Sequence, residues 1–141
     1  MISFWDASAI VPLLVSEAES GEMRHLFRSR PDYALWWGSK LECCSAIWRR
    51  ERDGDLSVAR LVEPLRLLDA IVNAAVEVQP VEQVRAAAVR ALAVHPLRAA
   101  DSLQLGAALC LVEPADGLVE FVCLDKRLRD AGRREGLLLL P

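Results

Sequence analysis

Two histidines and four cysteines are all that 141 residues offer in nitrogen and sulfur ligands. Cys43 and Cys44 adjoin and Cys110 and Cys123 stand apart, so no CxxC or CxxH pair exists to hold zinc. The four thiols are expected to be small buried hydrophobes. His25 reads as a helix-surface residue and His95 as a helix-end residue beside Pro96, which leaves no pair for a metal-free, two-histidine mechanism. Positive charge is also short. Seventeen Lys and Arg against twenty Asp and Glu give a net charge of −3, which argues mildly against binding nucleic acid by bulk attraction. Contact with phosphate through metal ions or a local basic strip stays open. Long hydrophobic runs are missing too, since each is cut by acids, Pro or Arg, so no transmembrane span is expected. Met1 to Asp6 shows neither the basic nor the apolar region of a signal peptide, so the expected location is the cytoplasm.

Apolar residues form 53% of the sequence and charged ones 26%, a globular balance. The length suits one domain over 1–141 with a real core, and no repeat, low-complexity tract or linker interrupts it. A short strand over 1–5 precedes "DASAIVPLLVSEAESGEMRHLFRSR", which reads as helical, and "DYALWW" (32–37) is β-prone. From Ser39 the apolar residues at 41, 44, 47 and 48 follow a helical period that stops at Asp53-Gly54, and 57–73 repeats that period. "AAVEVQPV" (74–81) reads as a strand, "VEQVRAAAVRALAV" as a helix, and 97–111, "LRAADSLQLGAALCL", as a mostly buried helix. A loop at Glu113 to Gly117, a strand over 118–125, a short basic helix and a last strand in "LLLL" complete the chain. This alternation predicts an α/β fold with a mainly parallel sheet of four to five short strands flanked by helices.

Three aspartates occupy comparable places. Asp6 ends the first strand, Asp125 ends "FVCL", and Asp101 opens the apolar helix; Glu42 lies one turn inside the helix from Ser39. In open parallel sheets, ligands bind beyond the carboxyl ends of the strands, where these acids could converge. Each also has a plainer role. The aspartates precede helical sequence and would serve as N-caps, Asp101-Ser102-Leu103-Gln104 resembles a capping box, and Glu42 would suit a helix first turn. Convergence would carry a cost: two charges 4 Å apart repel by about 4 kcal/mol at an effective dielectric of 20. A cluster therefore needs shared protons or divalent cations, and an all-oxygen set suits Mg²⁺ or Mn²⁺.

Four blocks, "FWDASAIVPLL", "SKLECCSAIWRRERDG", "LRAADSLQLGAAL" and "FVCLDKRLRDAGRREGL", run in order from residue 4 to residue 137. Together they resemble the PIN-domain ribonucleases, and the VapC-like toxins of bacterial type II toxin–antitoxin pairs most of all. The resemblance implies a single three-layer PIN domain that cleaves RNA with Mg²⁺ or Mn²⁺ and a metal-bound water. It maps the catalytic and metal-holding acids onto Asp6, Glu42, Asp101 and Asp125, with the Ser8 hydroxyl as a supporting partner. It also implies a homodimer and an antitoxin that covers a groove and sets an Arg against the acids. Two positions depart from the family pattern. Cys123 replaces a frequent Thr or Ser and is a poorer donor toward the last acid. Gly106 stands where Ala is frequent, at about 1 kcal/mol of helix propensity.

Lys126, Arg127 and Arg129 follow Asp125, Arg133 and Arg134 come later, and Arg49, Arg50 and Arg52 end the Glu42 helix. Arg127 is the first candidate for RNA phosphate, with Lys126 beside it; a solvated helix face is the competing account of each. "WDASAIVPLL" and Trp36-Trp37 supply large hydrophobes for core or partner. Two other functions fit the sequence: a PIN nuclease of RNA processing without a toxin role, and a non-catalytic α/β interaction module whose acids are caps.

Overall fold

The computed structural model describes residues 1–112 and 117–141, so most of the loop expected at Glu113 to Gly117 lies outside the described residues. The strands are β1 (Ser3–Trp5), β2 (Tyr33–Trp36), β3 (Val76–Val78), β4 (Glu120–Val122) and β5 (Leu138–Leu140). The helices are α1 (Ala7–Leu14), α2 (Ser20–Arg28), α3 (Ser39–Arg52), α4 (Val62–Ala74), α5 (Glu82–Val94), α6 (Ala99–Leu109) and α7 (Lys126–Arg134). The strands form one five-stranded sheet in the order β3-β2-β1-β4-β5, and every pairing is parallel. Ser3 pairs with Tyr33 on one side and Glu120 on the other, which puts β1 at the centre.

Both faces of the sheet are covered, as strands this apolar require. Successive side chains alternate. Phe4, Ala34, Trp36, Phe121 and Cys123 join residues of α5, α6 and α7 in one core, while Trp5, Tyr33, Leu35 and Val122 join α1 to α4 in the other. The result is three layers, helix–sheet–helix, as the sequence predicts. No helix among the described residues is long and apolar enough to cross a membrane.

Several boundaries differ from the sequence reading. The helical stretch after Asp6 is two helices, because the Ser20 hydroxyl donates to the Val15 carbonyl (3.2 Å) and accepts from the Glu17 N–H (2.9 Å), closing a turn between them. Residues 57–73 divide into a 3₁₀ turn, Val58–Arg60, and α4, whose Pro64 sits in the first turn where its missing N–H is harmless. The strands over 74–81 and 118–125 shrink to three residues each. Cys43 and Cys123 are buried as expected, but Cys44 is half-buried and Cys110 exposed, because they fall off the core faces of α3 and α6. Trp36 is buried and Trp37 exposed. His25 lies exposed on α2, whereas His95, just past α5, is buried with Nε2 2.7 Å from Glu135 Oε1.

Gly106 permits a close approach of α6 to α5. A Cβ there would stand 2.9 Å from the Val84 carbonyl oxygen and 3.0 Å from the Ala88 nitrogen, both backbone atoms of α5. Gly106→Ala gains about 1 kcal/mol of helix propensity, but overpacking against backbone costs about 1–3 kcal/mol. Urea unfolding is expected to show a net loss of about 1 kcal/mol, and a more stable variant would refute the tight contact.

Candidate active site

Because β2 lies on one side of β1 and β4 on the other, the chain reverses its direction of winding between β1 and β4. At such a switch point the loops after the two strands part and leave a crevice. Asp6 follows β1 directly there, and Asp125 follows β4 by three residues.

Asp6 caps α1. Its Oδ2 accepts the Ser8 N–H at 3.0 Å and a short bond from the Ser8 hydroxyl. The same hydroxyl accepts the Leu124 N–H at 2.9 Å and lies 3.7 Å from Cys123 Sγ, so Ser8 ties the β1–α1 turn to the β4–α7 turn. Cys123 Sγ stands 3.6 Å from Asp6 Oδ2 and 3.6 Å from the Asp125 carbonyl, so its weak donor serves Asp6 and a backbone oxygen instead of the Asp125 carboxylate. Asp125 caps α7 through a 2.9 Å bond from the Leu128 N–H to Oδ1. For these two residues capping and a place at the site coincide.

Asp101 is not a cap. The N-cap of α6 is Arg98, with Asp101 on the third helical residue, where the Arg98 backbone N–H lowers its pKa. Gln104 takes no part in a capping box; it is fully buried and bonds to Ser39 of α3.

The acids sense one another. Burial raises the Asp6 pKa first, with a further push from Asp101, while bonds from Ser8 and Cys123 pull it down. Glu42 is raised to about 7, first by burial and then by the charges of Asp6 and Asp101, against a hydrogen bond from Gln104. Asp101 is raised by burial and by Asp125, and lowered by Arg98 and Arg127. Asp6, Glu42 and Asp101 thus couple mutually, and Asp125 joins through Asp101. Among the described residues no cation offsets the raised values of Asp6 and Glu42; the groups that lower them are a hydroxyl, a backbone N–H, a thiol and an amide.

Two open clefts meet at this place. One, of about 460 Å³, is lined by Ser8, Val11, Glu42, Arg49 and Ala100 among others. The second, of about 610 Å³, is lined by Arg98, Ala100, Asp101, Asp125, Lys126 and Arg127 among others. Ala100 is their common wall. Arg127 and Lys126 therefore lie where the sequence suggests, and both are exposed. Arg50 pairs with Glu17 instead, Arg133 with Asp130, and Arg129 bonds the carbonyls of Cys123, Leu140 and Pro141.

Among the described residues, no three His, Cys, Asp or Glu side chains are grouped closely enough to hold a metal ion. The donor chemistry nevertheless fits a hard divalent cation, being all carboxylate and mutually repelling. The three bonds to the Asp6 carboxylate, from the Ser8 N–H, the Ser8 hydroxyl and the Cys123 thiol, all fall on Oδ2, which leaves Oδ1 for another partner.

Sequence reasoning missed Arg98 and Gln104. Arg98 stands just before α6, three residues ahead of Asp101, and charge alone could have flagged it. Gln104 lies one helical turn after Asp101, as Glu42 lies one turn after Ser39, and this matched spacing was its signal.

Burial makes the site sensitive to pH. The folded chain keeps protons on Asp6, Glu42 and Asp101 that the unfolded chain releases. That stabilisation is complete below the unfolded carboxyl values, about pH 4, and is lost as pH rises through the folded ones, for Glu42 about 7. Discounted for partial exposure, the share of Glu42 is about 1 kcal/mol, or about 3 °C at this chain length. Melting curves of the metal-free protein from pH 5 to 8 should show a falling Tm, with a fall smaller by about that amount in Glu42→Gln. Identical profiles would mean that Glu42 is not buried among acids.

Fold and acids together define a three-layer α/β protein with a carboxylate-lined site at the switch point of its sheet. No protein-family model matches the sequence, and no curated protein matches it. Among solved structures, a chain of a structure described as "Toxin-antitoxin complex from Klebsiella pneumoniae" has a similar fold. The TM-score is 0.68 at 11% identity, covering 99% of this chain and 96% of the other. At that identity the likeness is one of fold.

Proposed function

We propose that the chain is a metal-dependent endoribonuclease, the toxin of a type II toxin–antitoxin pair, with a PIN-type site. The observation that carries this reading is geometric: Asp6 and Asp125 follow β1 and β4 on either side of the switch point, and Glu42 and Asp101 line the two clefts that share Ala100. The four blocks resembling PIN-domain toxins support it, as does a shared fold with a chain from a toxin–antitoxin complex.

Asp6, Glu42, Asp101 and Asp125 would hold Mg²⁺ or Mn²⁺. When bound, the ion supplies a water of lowered pKa and neutralises charge on phosphate oxygens. The residues of the chain do the rest. Ser8 fixes the Asp6 carboxylate by occupying Oδ2. Arg98, Lys126 and Arg127 line the larger cleft and would draw the RNA backbone toward the acids. The antitoxin partner, the homodimer and the cytoplasmic setting belong to the same proposal. An antitoxin arginine would meet a site with uncompensated negative charge.

The test is cleavage of labelled RNA with Mg²⁺ or Mn²⁺, before and after addition of a chelator. Cleavage that stops with chelator and returns with metal is expected; cleavage indifferent to chelator overturns the metal reading. Expression in a bacterium should arrest growth, and co-expression of a small DNA-binding protein encoded beside it should relieve the arrest. Cleavage without arrest would favour an RNA-processing nuclease, and absence of both a non-catalytic module.

A further inference from the structure

We propose that the pocket beyond the carboxyl ends of β2 and β3, beside α6, holds a guanine base of the RNA strand whose phosphate lies at the acids. The inference rests on the nuclease reading and adds to it the group that selects where the strand is cut.

The pocket, of about 410 Å³, is lined by Trp36, Pro80, Val81, Glu82, Arg85 and Leu103. That volume is in the range of recesses that hold small ligands. Trp36 ends β2, Pro80 and Val81 follow β3, and Glu82 and Arg85 lie at the start of α5. Since every strand pairing is parallel, the pocket opens on the same edge of the sheet as the acids. Leu103 sets the separation. Ala100, the wall common to the two acid-lined clefts, precedes it by three residues on α6. The two residues therefore share one face of that helix, about 4.5 Å apart along its axis. The pocket is the next recess along α6 from the crevice, within reach of a nucleotide adjoining the one at the acids.

Its walls favour a base over a phosphate. Trp36, Pro80, Val81 and Leu103 offer apolar surface, which suits the face of an uncharged heteroaromatic ring. Among the described residues that line it, the only cation, Arg85, is paired with Glu82. A phosphate would find its positive partners at the acids instead, in Arg98, Lys126 and Arg127. Trp36 is held in place for this role. Gly38 has an ordinary φ of −77°, yet a Cβ there would stand 2.5 Å from Trp36 Nε1, so the missing side chain leaves room for the indole. The ion pair selects the base. Glu82 and Arg85 are both exposed, and such a pair is held weakly, so it can exchange its internal bond for bonds to a ligand. A carboxylate only accepts and a guanidinium only donates. Guanine alone among the four bases offers two adjacent donors, N1–H and the N2 amino group, for Glu82, with O6 and N7 left to accept from Arg85.

Nuclear magnetic resonance of the whole chain without metal, titrated with guanosine monophosphate and separately with cytidine monophosphate, reads the pocket apart from catalysis. The Trp36 indole N–H and the backbone amides of Val81, Glu82 and Leu103 should shift with the guanine nucleotide, at an affinity about 10-fold above that of the cytosine one. Glu82→Gln, a change at an exposed position that the fold tolerates, should remove about 10-fold of guanine affinity by replacing one acceptor with a donor. Metal-dependent cleavage of RNAs that differ only in the base beside the cut should favour guanine by a similar factor, and Glu82→Gln should level that preference. Equal shifts with both nucleotides, shifts confined to the cleft of Arg98 and Arg127, or a Glu82→Gln protein with wild-type guanine affinity each overturn the inference and leave the nuclease standing. Guanine binding at the pocket without a guanine preference in cleavage overturns the RNA strand as its source and points to a free nucleotide. Guanine binding in a wild type that cleaves no RNA overturns the RNA strand and the nuclease reading together.

Discussion

Asp6→Asn should reduce metal-dependent RNA cleavage by at least about 10³-fold, the scale seen when a group aimed at developing charge is removed, while leaving the protein as stable or more so. The two halves of this expectation have separate causes. Asn is as good an N-cap as Asp, and its carbonyl oxygen can accept both bonds that Ser8 gives to Oδ2. The amide it brings can point its N–H groups at Glu42 and Asp101, where a carboxylate meets repulsion. A buried charge with a raised pKa is thereby exchanged for a neutral donor. Cleavage assays and thermal melts at pH 8 decide the matter. Loss of stability in step with activity would mark Asp6 as a structural cap, and full activity would remove it from the site.

A second substitution should be the most damaging to the fold. Trp5 is fully buried, meets Phe27 edge-on at 5.2 Å, and donates from Nε1 to Ser3 Oγ at 3.0 Å. Trp5→Ala removes the largest buried side chain of the central strand and is expected to cost about 3–5 kcal/mol. Against a typical total of about 5–15 kcal/mol, the melting temperature should fall by about 10–15 °C. Trp5 is also the residue before Asp6, so residual activity should fall further than the unfolded fraction alone explains. Trp37→Ala, at an exposed aromatic, should change stability by about 0.5 kcal/mol or less. Equal losses for the two would contradict their placement.

The alternation of strand and helix was legible because apolar period and breaker residues agree along most of the chain. Strand lengths were not. In "LVEFVCLD" the apolar run continues past Val122, the last paired residue, through Cys123 and Leu124, and only neighbouring strands decide where pairing stops. The break between α1 and α2 depends on one hydroxyl, Ser20, whose two backbone bonds cannot be inferred from composition. At the site, Asp6 and Asp125 were readable as acids between a strand and a helix. Asp101 was readable as an acid beside apolar sequence, but its supposed cap was not formed, since the helix begins two residues earlier, at Ala99. Gln104 stayed hidden for a related reason. A local pattern offered it a capping role, whereas its partners lie across the fold, Ser39 being 65 residues away.

The central position of β1 sets an order of events during synthesis. Asp6 is made before β4, yet one edge of its strand waits for that strand, and Asp125 comes later still. Until those residues leave the ribosome, Asp6 lacks the Cys123 contact, and Ser8 lacks the Leu124 N–H that anchors it. The carboxylate site is therefore completed only after β4 and Asp125 have been made. A nascent chain interrupted between Asp101 and β4 carries three of the four acids and no crevice to hold them.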